Sequence, residues 1–232
     1  MKRRIMYRSF KAAVILGLWI MVWAGAVQAA TDVKLERVLE KLNHLNNSLQ
    51  TFQADIIQTK WINLLQEFDT PEKGKLYFKK TSEGVYLRKE IEEPGHTIML
   101  VTPEEIIVYY PKKNQAVKRS LAEHKAKYSS TGIGTSSKEL KENFDISFVR
   151  DEIIKKKVYN IIELVPKTEK IKNYFQKLRL WVDDETGVPV RQRIEELNGD
   201  YTIIQFLKIK INKKIKDKVF ELKLPKDVEL IS

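Results

Sequence analysis

The sequence predicts an α+β fold: a large, strongly curved antiparallel sheet of about ten strands, with one long N-terminal helix and a helical interruption. Three observations carry this expectation. A helical period before residue 50 gives way to strict alternation after it. Short strand-like runs then follow one another, separated by turn residues. No stretch alternates strand with long helix, as a parallel sheet would require.

The helix is predicted over Thr31 to Gln50, where Leu35, Val38, Leu39, Leu42, Leu45 and Leu49 recur at spacings of three and four, with Thr31 and Asp32 available as N-caps. After it, "TFQADIIQTK" sets Phe52, Ala54 and Ile56 against Gln53, Asp55 and Ile57, the mark of a strand. "GKLYFKK", "VYLRKEIEE", "HTIMLVT" and "EIIVYYP" continue the pattern, divided by Ser82-Glu83-Gly84, Pro94-Gly95 and Pro103. The segment from Ser120 to Glu142 departs from it, with helix-forming residues on both sides of a Gly/Ser/Thr-rich centre; two short helices around a mobile loop are expected. "FDISFVR", "KKVYNIIELVP", "YFQKLRLWVDD", "VPVRQRIEEL" and "DYTIIQFLKIKIN" resume the strands, and "FELKLPKDVELI" offers a last short strand or turn. So many one-faced strands present more apolar surface than these helices can easily cover; a closed barrel could fill itself with side chains, whereas a half-open one would leave a cavity suited to a long apolar ligand.

Residues 1–29 read as a signal peptide and residues 30–232 as a single domain. Lys2, Arg3, Arg4, Arg8 and Lys11 form a basic n-region, Ala12 to Ala24 an apolar h-region, and Val27-Gln28-Ala29 a small-residue site, with cleavage expected after Ala29. An uncleaved anchor helix is the competing reading, although the run is shorter than the roughly 20 apolar residues usual for a span. Either way the remainder is exported. The chain has no cysteine, which removes disulfides, thiolate chemistry and a lipid-modified cysteine. The formal net charge of +11 includes five signal-peptide cations, so the mature domain carries +6.

No credible catalytic or metal set emerges, and an enzyme is not expected. "DDETG", from Asp183, resembles a fragment of a calcium loop but lacks its remaining ligands, and Gly187 stands where a turn wants positive φ; a turn is the better reading. His44, His96 and His124 have no metal-ligand spacing. "GIGTSS", from Gly132, lacks the lysine of a phosphate loop and reads as a flexible loop. Lys155-Lys156-Lys157 and Lys213-Lys214, with Lys216, fit solubility and edge protection, with docking to an anionic partner the weaker alternative. Nucleic acid is not expected, because the aromatics are not interleaved with lysines. On the hairpin around "DDETG", Leu178, Leu180 and Val182 share a face with Val188, Val190 and Ile194, while Arg179, Arg191, Arg193 and Glu195 take the other. The first set is predicted to point into the concave side.

The order of segments resembles the periplasmic outer-membrane lipoprotein carrier family, LolA and its LolA-like relatives, almost end to end over the mature chain. The resemblance rests on "SLQTFQADIIQTK" after the helix, "GKLYFKK" from Gly74, a strand ending at Pro94, "EEIIVYYPKKNQAVK", "GIGTSSKELKENFDI", "LRLWVDDETGVPVRQRIEELNGDYTIIQFLKIKIN" and "FELKLPKDVELI". Each motif is weak alone; their order is specific. It implies an incomplete, half-open β-barrel of about ten to eleven strands, lidded by an N-terminal helix and short helices, in a non-enzymatic periplasmic carrier that holds the acyl chains of lipoproteins in an apolar cavity and moves them towards the outer membrane. A releasing complex at the inner membrane and a receptor at the outer membrane are the implied partners, with no cofactor and a monomer expected. A lipid-sensing or protein-docking module of the same fold is the alternative. The cavity candidates are Phe52, Ile56, Leu76, Phe78, Tyr86, Leu100, Val108, Tyr110, Leu178, Leu180, Val182, Val190, Ile194 and Phe206. The family's arginine-proline pair after the second strand, implicated in holding the lid closed, is replaced by "KKTSEG", which leaves Lys80 as the nearest cationic equivalent and Arg88 as a second candidate. The helix at 32–50 and the segment at 120–142 are the expected lid.

Overall fold

The structure, a computed structural model, describes residues 31–122 and 133–231. Helix α1 covers residues 31–48. The first meander follows: β1 (Thr51–Ile62), β2 (Glu67–Phe68), β3 (Glu72–Lys80), β4 (Val85–Glu93), β5 (Thr97–Val101), β6 (Glu105–Tyr110) and β7 (Gln115–Ser120). After α2 (Ser137–Asn143) comes the second: β8 (Phe144–Ile154), β9 (Lys157–Pro166), a single helical turn α3 (Glu169–Lys172), β10 (Lys177–Asp183), β11 (Pro189–Glu195) and β12 (Tyr201–Ile211), with β13 (Glu229–Ile231) last.

These strands make one sheet in the order β13-β7-β6-β5-β4-β3-β1-β12-β11-β10-β9-β8, with the two-residue β2 beside β1. Every pairing is antiparallel except β13 with β7. The described strands number thirteen; the two-residue β2 is not among those expected, and the last short strand offered by "FELKLPKDVELI" is β13. The sheet is curved and does not close: β8 forms one margin, and β7 with β13 the other.

The inner face, covered by α1, holds the core. Val38, Leu39 and Leu42 of the helix pack with Ile162, Leu164, Leu178, Leu180 and Val182 of β9 and β10, joined by Leu140, Phe144, Ile171 and Phe175. Leu45 and Leu49 turn to the other half, against Phe52, Ala54, Ile56, Leu76, Phe78, Leu87 and Phe206. One helix thus spans both meanders, because its apolar stripe is long enough to serve two groups of strands. The segment expected to be a mobile loop is packed where it is described. Ile133 and Thr135 are buried, and a Cβ at Gly134 (φ +75°) would lie 2.5 Å from the Phe78 ring. Ser136 and Glu139 form a capping box at the start of α2. His124 lies outside the described residues.

The outer face is divided. Over β3–β7 it is covered by the chain after β12: Ile215 and Phe220 pack on Leu100, Tyr77 and Tyr86, while Leu222, Leu224 and Val228 pack on Ile98, Tyr109 and Ala116. Lys79 forms an ion pair with Asp217, and Arg88 donates to the carbonyls of Val219 and Glu221 at 3.4 Å. Over β9–β11 the outer face carries charge instead, with Arg179 on Glu163 at 2.7 Å, Arg193 on Glu195 at 3.1 Å, and Arg191 stacked 5.3 Å over Trp181.

The "DDETG" turn does two jobs. Asp183 Oδ1 accepts from the backbone N–H groups of Glu185 and Thr186 and from the Thr186 hydroxyl, closing the bend. Asp184 Oδ1 accepts from Lys41 of α1 at 2.7 Å and from Asn160 at 2.8 Å, fastening the helix to the hairpin. The Lys41 ammonium and the Asn160 amide hold the Asp184 carboxyl below its ordinary value. Gly187, at φ +70°, leaves room for Lys41; a Cβ there would lie 2.9 Å from its carbonyl oxygen. Among the described residues no group of three acidic or histidine side chains is arranged to hold a metal ion.

Leu164→Ala removes a fully buried side chain shared by α1 and β9, and is expected to lower unfolding free energy by about 2–5 kcal/mol in denaturant titration. Gly187→Ala both strains the turn and crowds Lys41; urea unfolding is expected to show a loss of more than about 1 kcal/mol. Because folding lowers the Asp184 pKa, its contribution is complete at neutral pH and is lost as the solution is acidified through and below the ordinary value of 3.8. Acid titration monitored by circular dichroism is therefore expected to destabilise the native protein more than Asp184→Asn, measured relative to each protein's neutral-pH stability.

Candidate functional site

A cavity of about 470 Å³ opens on the inner face, beside the core that α1 fills. It is lined by Ile56, Leu76, Leu87, Met99, Ile194, Ile204 and Phe206 from six strands, with Tyr174 and Phe175 from the turn after α3. Its volume falls within the range of roughly 300–1,000 Å³ common to small-ligand sites. Met99 of β5 and Ile194 of β11 stand five strand steps apart, which would be about 24 Å in a flat sheet. They share one cavity because the sheet curls.

The register shows how the walls are made. Ile56 pairs with Phe206 and Gln58 with Ile204 across β1 and β12; Ile204 in turn pairs with Gln192, and Thr202 with Ile194, across β11. On the other flank Leu76 pairs with Lys89, and Lys89 with Met99. Antiparallel partners point to the same face, so each rung places its side chains side by side on the wall.

The wall is apolar with a small polar group on it. Gln58 donates to Glu72 Oε2 at 2.6 Å and accepts from the Lys89 ammonium. Desolvation by the surrounding protein holds the Lys89 pKa below its ordinary value, partly opposed by Glu72. Lys60, two residues along the same face from Gln58, is in a different state: it contacts Glu196 at 3.1 Å and Asp200 at 3.2 Å. Burial works against its charge, but those two carboxylates outweigh it and raise its pKa. The arrangement has no nucleophile with an attendant base. It can shelter an apolar chain and offer polar contacts near one wall.

Of the fourteen cavity candidates, Ile56, Leu76, Ile194 and Phe206 line this space. Phe52, Phe78, Leu178, Leu180 and Val182 lie on the same face but are occupied in packing with α1 and its surroundings. Val108 packs into the inner core, and Tyr110, of the same strand parity, is half-buried. Val190 is half-buried at the bulge where Trp181 pairs with Arg191 and Val182 with Pro189. Tyr86 and Leu100 are corrections: both are on the outer face beneath the C-terminal segment. Arg88 is a correction for the same reason, since it anchors that segment and touches no part of α1 among its hydrogen bonds. Lys80 is exposed at the end of β3, where its backbone N–H donates to the Gln50 carbonyl after α1. The sequence reading missed Leu87, Lys89, Met99 and Ile204. The single signal for the first three was the alternation of β4 and β5 read one residue out of phase.

Comparison with known proteins agrees with this architecture. The family model described as "Outer membrane lipoprotein carrier protein LolA" matches residues 47–223. No curated protein matches the chain in sequence. Among solved structures, an uncharacterized conserved protein from Thermus thermophilus superposes with a TM-score of 0.52 at 13% identity, covering 85% of this chain and 98% of that one. MucB superposes with a TM-score of 0.51 at 11% identity, covering 82% of this chain and 63% of MucB. The Mycobacterium tuberculosis lipoprotein LppX superposes with a TM-score of 0.50 at 12% identity, covering 80% of this chain and 99% of LppX. At these identities the likeness is one of fold alone. With the family model spanning β1 to β12 and the segment that follows, the chain belongs to the LolA outer membrane lipoprotein carrier family.

Proposed function

We propose that the protein is an extracytoplasmic carrier that shelters acyl chains of a lipid or lipoprotein in the cavity between β5 and β11 and conveys them towards the outer membrane. The observation that carries this reading is the cavity itself: an apolar space enclosed by strands of both meanders, left unfilled by the one long helix that covers their inner face. Membership of a lipoprotein-carrier family supports it. Burying about ten methylenes would supply on the order of 8 kcal/mol, enough to exceed the low end of the roughly 4–15 kcal/mol cost of association. No enzymatic step is needed, and export from the cytoplasm accords with the basic and apolar segments at residues 2–24.

A second reading, a protein-docking module, has one observation in its favour. Among the described residues β8 has no strand on its outer edge, and Ile153 on it is 73% exposed, with Val149, Val158 and Val165 also exposed nearby. An unpaired strand edge with apolar side chains is a template for a partner strand.

The purified protein is expected to release acyl-bearing lipid or lipopeptide on organic extraction, detected by mass spectrometry. Ile204→Glu sets a carboxylate into the cavity wall and is expected to reduce the recovered lipid at least about tenfold while the far-ultraviolet circular dichroism is unchanged. Equal lipid in both proteins would locate the binding elsewhere, and a lipid-free protein that captures a partner chain with equal strength before and after the substitution would favour docking.

A further inference from the structure

Lys89 is the feature of the cavity that a purely apolar carrier does not require. Its stem lies along the wall between Leu76 and Met99, and its ammonium donates to the Gln58 side-chain oxygen. Among the described residues no carboxylate stands within ion-pair distance of it. Glu72 is reached only through the Gln58 amide, which donates to it at 2.6 Å. Lys60 shows the contrast, with two carboxylates in contact. An ammonium has three N–H donors, and a neutral amide oxygen engages one of them. A cation taken partly out of water without a counter-ion is costly, and the folded chain bears that cost at the wall of its cavity. That the cost is felt is seen in the lowered Lys89 pKa, whose main cause is desolvation.

Resting on the acyl-chain reading above, we propose that the cavity is built for a single-chain anionic amphiphile, whose carboxylate or phosphate accepts hydrogen bonds from the Lys89 ammonium while its chain lies among Leu87, Met99, Ile204 and Phe206. The anion supplies the counter-charge that the fold withholds. The ion pair forms within a partly dehydrated wall, where charge-assisted bonds are shorter and stronger than neutral ones. Arg88, next in sequence, could not substitute, because alternation sends it to the outer face and into the C-terminal segment. The Gln58 amide and Thr202 line the cavity with Lys89, as does the carboxylate of Glu196, whose charge is engaged by Lys60 at 3.1 Å.

Decanoate, decyl phosphate and decanol, each titrated calorimetrically below its aggregation limit into the native protein, Lys89→Met and Lys89→Arg, test the idea. The native protein is expected to bind at least one of the two anions about tenfold or more tighter than decanol. Lys89→Met should lose that preference, the ratio of anion to decanol affinity falling to about one, and Lys89→Arg should keep it. The stronger of the two anions identifies the source: decanoate points to a free fatty acid, decyl phosphate to a phospholipid head. Equal binding of all three ligands by the native protein, or a preference that survives in Lys89→Met, overturns the proposal and leaves the acyl cavity standing. Absence of binding by all three, decanol included, overturns the acyl cavity and this inference with it. Should Lys89→Met fail to fold, the comparison of the three ligands on the native protein decides alone.

Discussion

The ladder between β1 and β12 joins the two meanders. β1 pairs with β3 on one edge and with the last long strand of the second meander on the other, from Phe52 with Ile211 to Trp61 with Tyr201, with one bulge between Gln53 and Asp55. Asn212 strengthens the joint, its side chain accepting from the backbone of Gln50 and donating to the Ser48 carbonyl at the end of α1. Because this ladder makes one sheet of the two meanders, β5 and β11 can face each other across a common space. Without it, each half would present an apolar face with nothing opposite. The closing distance is long in sequence, so the ladder carries a large loop-closure cost, and the inner cores on both sides must offset it.

Helix α1 is the second element on which the architecture leans, and its length decides where the cavity can be. Its leucines fill the space over β9–β10 and over the start of β1 and the end of β3, so that part of the inner face has no room for a ligand. Past the last leucines of the helix, the wall continues through Ile56, Ile204 and Ile194 and stays open as a cavity. The clamp between Lys41 and the Asp184 turn fixes the helix at its middle. A cavity that persists beside a core packed with leucine and phenylalanine is a feature that the fold maintains, since interiors otherwise close to the density of organic crystals. Its polar wall follows the same logic: a charge is tolerated at Lys89 because the space beside it is open enough to admit a partner.

Much of this is legible in the sequence, and the failures have a common physical cause. The helical stripe from Leu35 to Leu49 and the hairpin from Leu178 to Ile194 can be read directly, since each has one face to bury and one in contact with solvent. On that hairpin the acids read as turn chemistry, although the grip of Asp184 on Lys41 needs three dimensions. In β4 and β5 the pattern misleads by one residue. Both faces of these strands are covered, one by the inner core and the other by residues 215–228, so "VYLRKEI" and "TIMLV" carry apolar or aromatic groups in both parities. Period 2 then gives no preference, and Tyr86 and Leu100, expected inside, point outward. The same ambiguity hides Lys89. The covering segment is itself illegible, because a segment with little regular structure has no period to betray which face it will bury.

The central claim is that the space between β5 and β11 holds an alkyl chain. A crystal structure of the protein with 12-bromododecanol locates the chain terminus by the anomalous signal of bromine, and the uncharged head removes any contribution from Lys89. The account predicts a bromine peak within contact distance of the side chains of Leu87, Met99, Ile204 or Phe206. Bromine at the free margin of β8 or on the outer face, with the cavity filled by water or closed by its own side chains, would contradict it.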